Sequence, residues 1–112
     1  MSDHVSSDDH KAIFNHGRFR WLGMVARDAA LSSTAVRVAV IIWDRFNVSR
    51  GGAWPSINRI ADEIGMHRST VLRAIRDLED RGWICTTHGG RGRSNFYQPT
   101  FRSEEVDQVD ES

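Results

Sequence analysis

Apolar residues recur at helical spacing through most of this chain, then give way to two short strand-like runs separated by glycines. Phe19, Trp21, Leu22, Val25 and Ala26 predict a short helix over about Phe19–Ala29. Leu31-Ser32-Ser33 opens a second helix with Ser32 as N-cap, because a serine oxygen there can accept from an early backbone N–H. The run that follows, Val36 to Trp43, is β-branched enough to suit a buried strand. Its length and the capping serine favour a helix to about Phe46, with Val36, Val40 and Trp43 sharing one face. Asn47–Gly52 is expected to be a loop closed by Gly51-Gly52.

Ser56 then caps a helix in which Ile57, Ile60, Ala61 and Ile64 fall at i, i+3, i+4 and i+7, and Gly65 ends it. A further helix is predicted from about Arg68 to Asp80, burying Val71, Ala74, Ile75 and Leu78, with Gly82 as its stop. Trp83–His88 reads as a strand, Gly89–Ser94 as a tight turn and Asn95–Phe101 as the returning strand. Two helices joined this closely make steric demands at fixed positions. With Ile57 as the first residue of the pair, Ala61 is the fifth, where the helices approach, and Gly65 the ninth, in the turn. Ile60, Ile64, Met66, Val71 and Ala74 fall where such a pair buries itself against the body.

The ends differ from this body. Residues 1–17 show no hydrophobic period and are expected to be a disordered arm, 18–102 the folded domain, and 103–112 an acidic disordered tail. At 112 residues and 39% hydrophobic content the chain suits one domain. Its formal net charge of zero hides an uneven distribution. Between Arg18 and Arg102 fourteen arginines face seven acids, a net of +7, whereas Glu104–Ser112 holds five acids and no base. The tail either screens the basic face or serves solubility. An arginine-rich domain suits phosphate and guanine, because the guanidinium fork donates in pairs; a solvated surface that favours arginine is the plainer account.

The polar face of the Arg68–Asp80 helix carries Arg68, Ser69, Thr70, Arg73 and Arg76. Its first turn would enter a major groove, where Arg68 or Arg73 could grip guanine and Ser69 and Thr70 could reach bases or phosphate. Against this, Arg73 can pair with Asp77 and Arg76 with Asp80, each an i+4 neighbour. Arg91 and Arg93 sit at the hairpin tip between glycines and could reach phosphates or an adjacent minor groove, or merely keep the tip soluble. Ser56 could bond phosphate at a helix N-terminus or act as a cap alone.

Other chemistry finds little support. His4, His10, His16, His67 and His88 lack metal-ligand spacing, the lone Cys85 has no evident base, and Asp62-Glu63 point apart on a helix. The cluster Gly89-Gly90-Arg91-Gly92 lacks the Lys-Ser/Thr and following helix of a phosphate-binding loop. No enzyme activity, metal, cofactor or small-molecule ligand is expected. One cysteine permits no internal disulfide, and Val38–Trp43 is too short to cross a membrane, so a bacterial cytoplasmic location is expected.

Gly51-Gly52-Ala53-Trp54-Pro55-Ser56, Ile60-Ala61-Asp62-Glu63-Ile64-Gly65-Met66, Ser69-Thr70-Val71, Leu78 to Ile84 and Gly92-Arg93-Ser94-Asn95 together resemble a winged helix-turn-helix family. It is the family found in plasmid and phage replication initiators and small regulators, and the resemblance spans about Trp21 to Pro99. It implies a mainly α fold: a three-helix core with a two- to three-stranded antiparallel sheet, Ala53-Trp54 supplying the short third strand. It also implies sequence-specific binding of double-stranded DNA. The chain departs from the pattern at His67, where the family usually has Ser or Thr as N-cap of the recognition helix. His67 is therefore either a poorer cap or a phosphate contact, in which case binding strengthens on acidification. A repressor of a plasmid, phage or other mobile element is the expected function. A replication initiator or accessory protein and a winged helix for protein–protein contact are the alternatives. The chain ends about ten residues past the wing, which favours the regulator. Phe19 and Trp21 exceed the needs of a three-helix core; they either pack on a second copy in a homodimer or cap the core.

Overall fold

A computed structural model describes residues 17 and 19–101. The expected arm, apart from Gly17, and the acidic tail lie outside the described residues. Helix α1 runs through residues 19–26, followed by α2 (Ser33–Asp44), α3 (Ile57–Ile64), α4 (Arg68–Asp80), β1 (Ile84–Thr87) and β2 (Phe96–Pro99). The first helix stops short of Ala29 for a local reason. Asp28 turns its carboxylate back onto the Ala30 N–H at 3.1 Å, a bond that competes with helix.

Ser32 caps α2, its Oγ accepting from the Ala35 N–H at 3.0 Å, and the helix closes at Asp44 with Arg45 as C-cap. The face it buries is not the expected one. Ala35, Val38, Ala39 and Ile42 point into the core, while Val36 and Trp43 are half-buried and Val40 is 39% exposed. This helix is apolar on nearly every side, so periodicity alone selects no face. The buried side is the one with two alanines, whose small side chains admit close neighbours.

Between α3 and α4 the chain makes the tight turn that the sequence predicts. Ser56 Oγ accepts from the Arg59 N–H at 3.0 Å to start α3. Gly65 ends it at φ 68°, a left-handed conformation open to glycine without strain. The Gly65 and Met66 N–H groups both close on the Ala61 carbonyl. Ile60, Ala61 and Ile64 are buried, whereas Ile57 and Met66 pack only at the margin of the core. Helix α4 buries Val71, Ala74, Ile75 and Leu78, as its spacing requires.

Strands β1 and β2 pair antiparallel, Ile84 opposite Pro99 and Thr87 opposite Phe96, and form a hairpin wing. The expected third strand reduces to a single bridge in which Ala53 exchanges both backbone hydrogen bonds with Tyr97, at 2.9 and 2.7 Å. Pro55, two residues on, carries no N–H to extend it. Gly52 makes this approach possible, because a β-carbon there would lie 2.6 Å from both the Phe96 ring and the Tyr97 carbonyl. The core runs from α1 to the wing. Trp21, 1% exposed, donates its indole N–H to the carbonyls of Trp83 and Thr100, each at 2.9 Å. The fold is a winged helix-turn-helix with an additional N-terminal helix.

Candidate nucleic-acid interface

At about 100° per residue, the outward face of α4 is shared by Ser69, Arg73, Arg76 and Asp80. Arg68 lies toward one edge of that face and Thr70 toward the other. Arg68, Ser69, Arg73 and Arg76 are exposed, and Thr70 is half-buried. Neither of the alternative intrahelical pairs, Arg73–Asp77 or Arg76–Asp80, forms. Among the described residues the ion pairs are Arg45–Glu63, Arg59–Glu63 and Arg81–Asp28. Asp77 instead accepts the Ser32 N–H at 3.3 Å, which ties the start of α2 to α4. The guanidinium groups of Arg68, Arg73 and Arg76 therefore face outward with no carboxylate partner among the described residues.

His67 is the N-cap of α4, and its Nδ1 accepts from the Ser69 N–H at 3.3 Å while lying 2.9 Å from Ser69 Oγ. Nδ1 is thus spent on the helix's own first turn, and only Nε2 is left to face outward. Arg91 and Arg93 are exposed at the wing tip, where the Arg93 N–H bonds the Gly90 carbonyl at 3.2 Å. Below the tip, the Gly89 N–H donates to Asn95 Oδ1 at 3.0 Å, which fixes the wing's neck.

Among the described residues, clefts open on two sides of α4. One, of about 450 Å³, lies toward the start of α2 and is lined by Thr34, Thr70, Arg73, Arg76, Asp77 and Asp80, a mixed-sign surface. The other, of about 370 Å³, lies between the helix-turn-helix and the wing. Ser56 and Asn58 line it from α3's start, Arg68 from α4, and Arg93, Asn95 and Tyr97 from the wing; among the described residues no acidic one lines it. Tyr97 is 1% exposed, and its hydroxyl accepts a long bond, 3.5 Å, from Asn95 Nδ2. Burial pushes the Tyr97 phenol above its usual range, the Glu79 charge adds to the rise, and the Asn95 bond opposes it, so the hydroxyl keeps its proton.

The structure thus divides the expected contact residues. Ser56, Arg68 and Arg93 gather at the wing cleft, Thr70, Arg73 and Arg76 at the other, His67 and Ser69 stand at the start of α4, and Arg91 projects from the wing tip. Asn58 and Tyr97 carry no contact role in the sequence pattern, and Asn95 enters it only through the motif Gly92-Arg93-Ser94-Asn95. Tyr97 carries one signal: a residue on the buried side of a strand that bears a polar tip, which such residues place against a partner. Trp21 follows the core-capping alternative rather than the dimer contact. Phe19 remains 60% exposed and packs edge-on against Trp43, ring centroids 5.2 Å apart. Among the described residues there is no cluster able to hold a metal ion and no helix long and apolar enough to cross a membrane.

Residues 29–84 match the family described as helix-turn-helix domain. Protein YmfN of Escherichia coli (strain K12) is 41% identical over 64 residues, 57% of this chain but 13% of YmfN, so the chain corresponds to a small part of that relative. A zinc-bound manganese uptake regulator superposes with a TM-score of 0.47 at 20% identity, covering 84% of this chain and 82% of that one. A MarR/EmrR family transcriptional regulator from Acinetobacter sp. ADP1 gives 0.46 at 18% identity, over 96% and 75%.

Proposed function

This chain belongs to the helix-turn-helix domain family, and from that premise we propose that it binds double-stranded DNA sequence-specifically and acts as a transcriptional repressor. One observation carries the reading. Arg73 and Arg76 stand on the outward face of α4 with Asp77 and Asp80 one turn away, yet pair with neither. An exposed guanidinium left without its i+4 acid is available to a base edge or a phosphate. The face combines these arginines with Ser69 and Thr70, side chains that hydrogen-bond rather than bury, which suits a groove better than an apolar protein surface. With α4 in the major groove, Arg73 and Arg76 address bases, and the wing arginines lie to one side over the backbone. Repression is the proposed outcome because occupancy of a site is sufficient for it. A symmetric dimer is proposed through the face that holds Phe19 and Val40, both exposed.

Selection from random duplexes tests the whole reading. One enriched motif, bound with an affinity that falls as salt rises, is the expected result. Absence of both enrichment and salt-dependent binding would overturn it. A palindromic motif together with a dimer mass by light scattering is expected; a monomer mass at tens of micromolar protein would remove the dimer.

A further inference from the structure

We infer that Glu79 is a positioning residue for DNA binding: through Thr86 it sets the wing against α4, so that the wing arginines meet the backbone when α4 enters the groove. The inference rests on the DNA-binding reading above and adds to it a residue that itself touches no DNA.

Glu79 is half-buried on α4, and its Oε2 accepts the Thr86 hydroxyl at 2.5 Å. A hydroxyl given to a carboxylate is stronger than a bond between neutral partners. This one joins α4 directly to β1. Thr86 stands opposite Tyr97 in the hairpin, and Tyr97 exchanges both backbone hydrogen bonds with Ala53, three residues before the Ser56 cap of α3. Glu79 thus completes a row that crosses from the approach to α3, through β2 and β1, to α4. Both helices of the helix-turn-helix are tied to the wing at the same level.

The row matters because of what lies beyond it. A two-stranded hairpin alone is marginal in water, and Arg91 and Arg93 are exposed at its far end. Asn95 carries order from the row toward that end. Its Oδ1 takes the Gly89 N–H at 3.0 Å, and its Nδ2 donates to the Tyr97 hydroxyl at 3.5 Å. The connection from α4 to the wing's neck therefore runs through Glu79, Thr86, Tyr97, Asn95 and Gly89. An arginine placed in advance loses less freedom on meeting a phosphate than one on a loose hairpin.

The place of Glu79 on the helix separates this role from a contact with DNA. It falls about 20° around α4 from Arg68, which lines the wing cleft, and about 120° from Arg73 on the outward face. Its charge alone would repel a duplex. The two effects have opposite signs: removing a mere surface acid should tighten binding, whereas removing a tether of the wing should weaken it.

The test uses the full chain and its selected duplex. It compares Glu79→Gln, which loses the charge and keeps an acceptor for Thr86, with Glu79→Ala, which loses both. Glu79→Gln is expected to bind at least as tightly as the unmodified chain. Glu79→Ala is expected to bind about three- to tenfold more weakly, on matched and mismatched duplexes alike. In the Glu79→Ala background Arg91→Ala should cost little further, while Arg73→Ala should cost what it costs the unmodified chain. Thr86→Val should repeat the loss and Thr86→Ser should leave binding normal, and this pair decides the matter should Glu79→Ala fail to fold. The inference is overturned if Glu79→Ala binds as tightly as Glu79→Gln, or if Arg91→Ala keeps its full cost in the Glu79→Ala background. If no duplex binds, the DNA reading has failed and amide exchange decides the tether. Faster exchange from Asn95 to Tyr97 in Glu79→Ala than in Glu79→Gln would uphold it, and equal exchange would overturn it.

Discussion

The Asp28 carboxylate accepts two hydrogen bonds from the Arg81 guanidinium, Nη2 to Oδ1 at 2.7 Å and Nε to Oδ2 at 3.0 Å. The Trp83 indole N–H joins them at Oδ2, 2.7 Å away. Asp28 lies between α1 and α2, and Arg81 and Trp83 lie between α4 and β1. One side chain thus ties the amino-terminal part of the domain to the segment from which the wing departs. Its side chain is only 7% exposed, so each lost bond leaves a polar group with little water to replace it.

Asp28→Ala should therefore destabilise the domain and loosen the wing together. The orphaned Trp83 indole alone is expected to contribute about 1–3 kcal/mol of the loss. Urea unfolding should show a lower midpoint, and amide exchange should speed up through β1 and β2. An unchanged midpoint would show that the bonds contribute nothing net.

Acid should remove the same contribution in the unsubstituted protein. Arg81, then Trp83 and the Ala30 N–H, hold the Asp28 acid well below the usual carboxylate range against the opposing effect of burial. The folded form thus binds this proton less readily than the unfolded chain, whose aspartate titrates near about 3.9. The stabilisation is complete above that value and drains away as pH falls below it. The difference in unfolding midpoint between the natural chain and Asp28→Asn should be constant from pH 7 to 5 and narrow below about 4.

Ala61 is buried where α3 meets its neighbours, and the Gly65 and Met66 N–H groups close on its carbonyl. A longer side chain has nowhere to go without moving the turn. Ala61→Leu should cost about 1–3 kcal/mol by overpacking. Because the turn sets the angle between α3 and α4, DNA binding should fall even under conditions where circular dichroism shows the variant folded.

The parts of this fold that could be read from the sequence are those whose signals are local. Ser56, Gly65 and the Ile60-Ala61-Ile64 spacing lie within ten residues, and cap, turn and buried face all follow from them. The four buried residues of α4 emerge equally well because polar side chains cover the rest of that helix. Helix α2 lacks this contrast, so the choice of Ala35 and Ala39 over Val36 and Val40 is made by tertiary packing. Trp21 was ambiguous because its acceptors are 62 and 79 residues away in sequence. The wing cleft was invisible for the same reason, since Asn58, Arg68 and Tyr97 come from three different elements.

His67 tests how much a non-standard cap contributes. Its Nδ1 reaches the Ser69 N–H at 3.3 Å, longer than the 3.0 Å of the serine caps on α2 and α3. His67→Ser should keep or improve stability by a few tenths to about 1 kcal/mol, and His67→Ala should lower it by a similar amount. Thermal melting of the three chains gives the order directly. A serine variant less stable than the alanine one would mean that the imidazole contributes through packing rather than as an acceptor.

Arg73 and Arg91 separate reading from holding. Arg73 stands on the outward face of α4 and has no carboxylate partner among the described residues, so truncating it removes a contact to the groove and leaves no buried charge behind. Arg73→Ala should relax preference at about one base position, by roughly 1–3 kcal/mol, with other positions unaffected. Arg91 is exposed at the wing tip and lines neither cleft beside α4. Arg91→Ala should weaken every duplex alike and shallow the dependence of binding on salt by about one. Competition among single-base variants of the selected site, repeated at several salt concentrations, measures both at once. If Arg91→Ala shifted base preference while Arg73→Ala changed only the salt slope, the wing would be the reader, and α4 would lie along the backbone instead of in the groove.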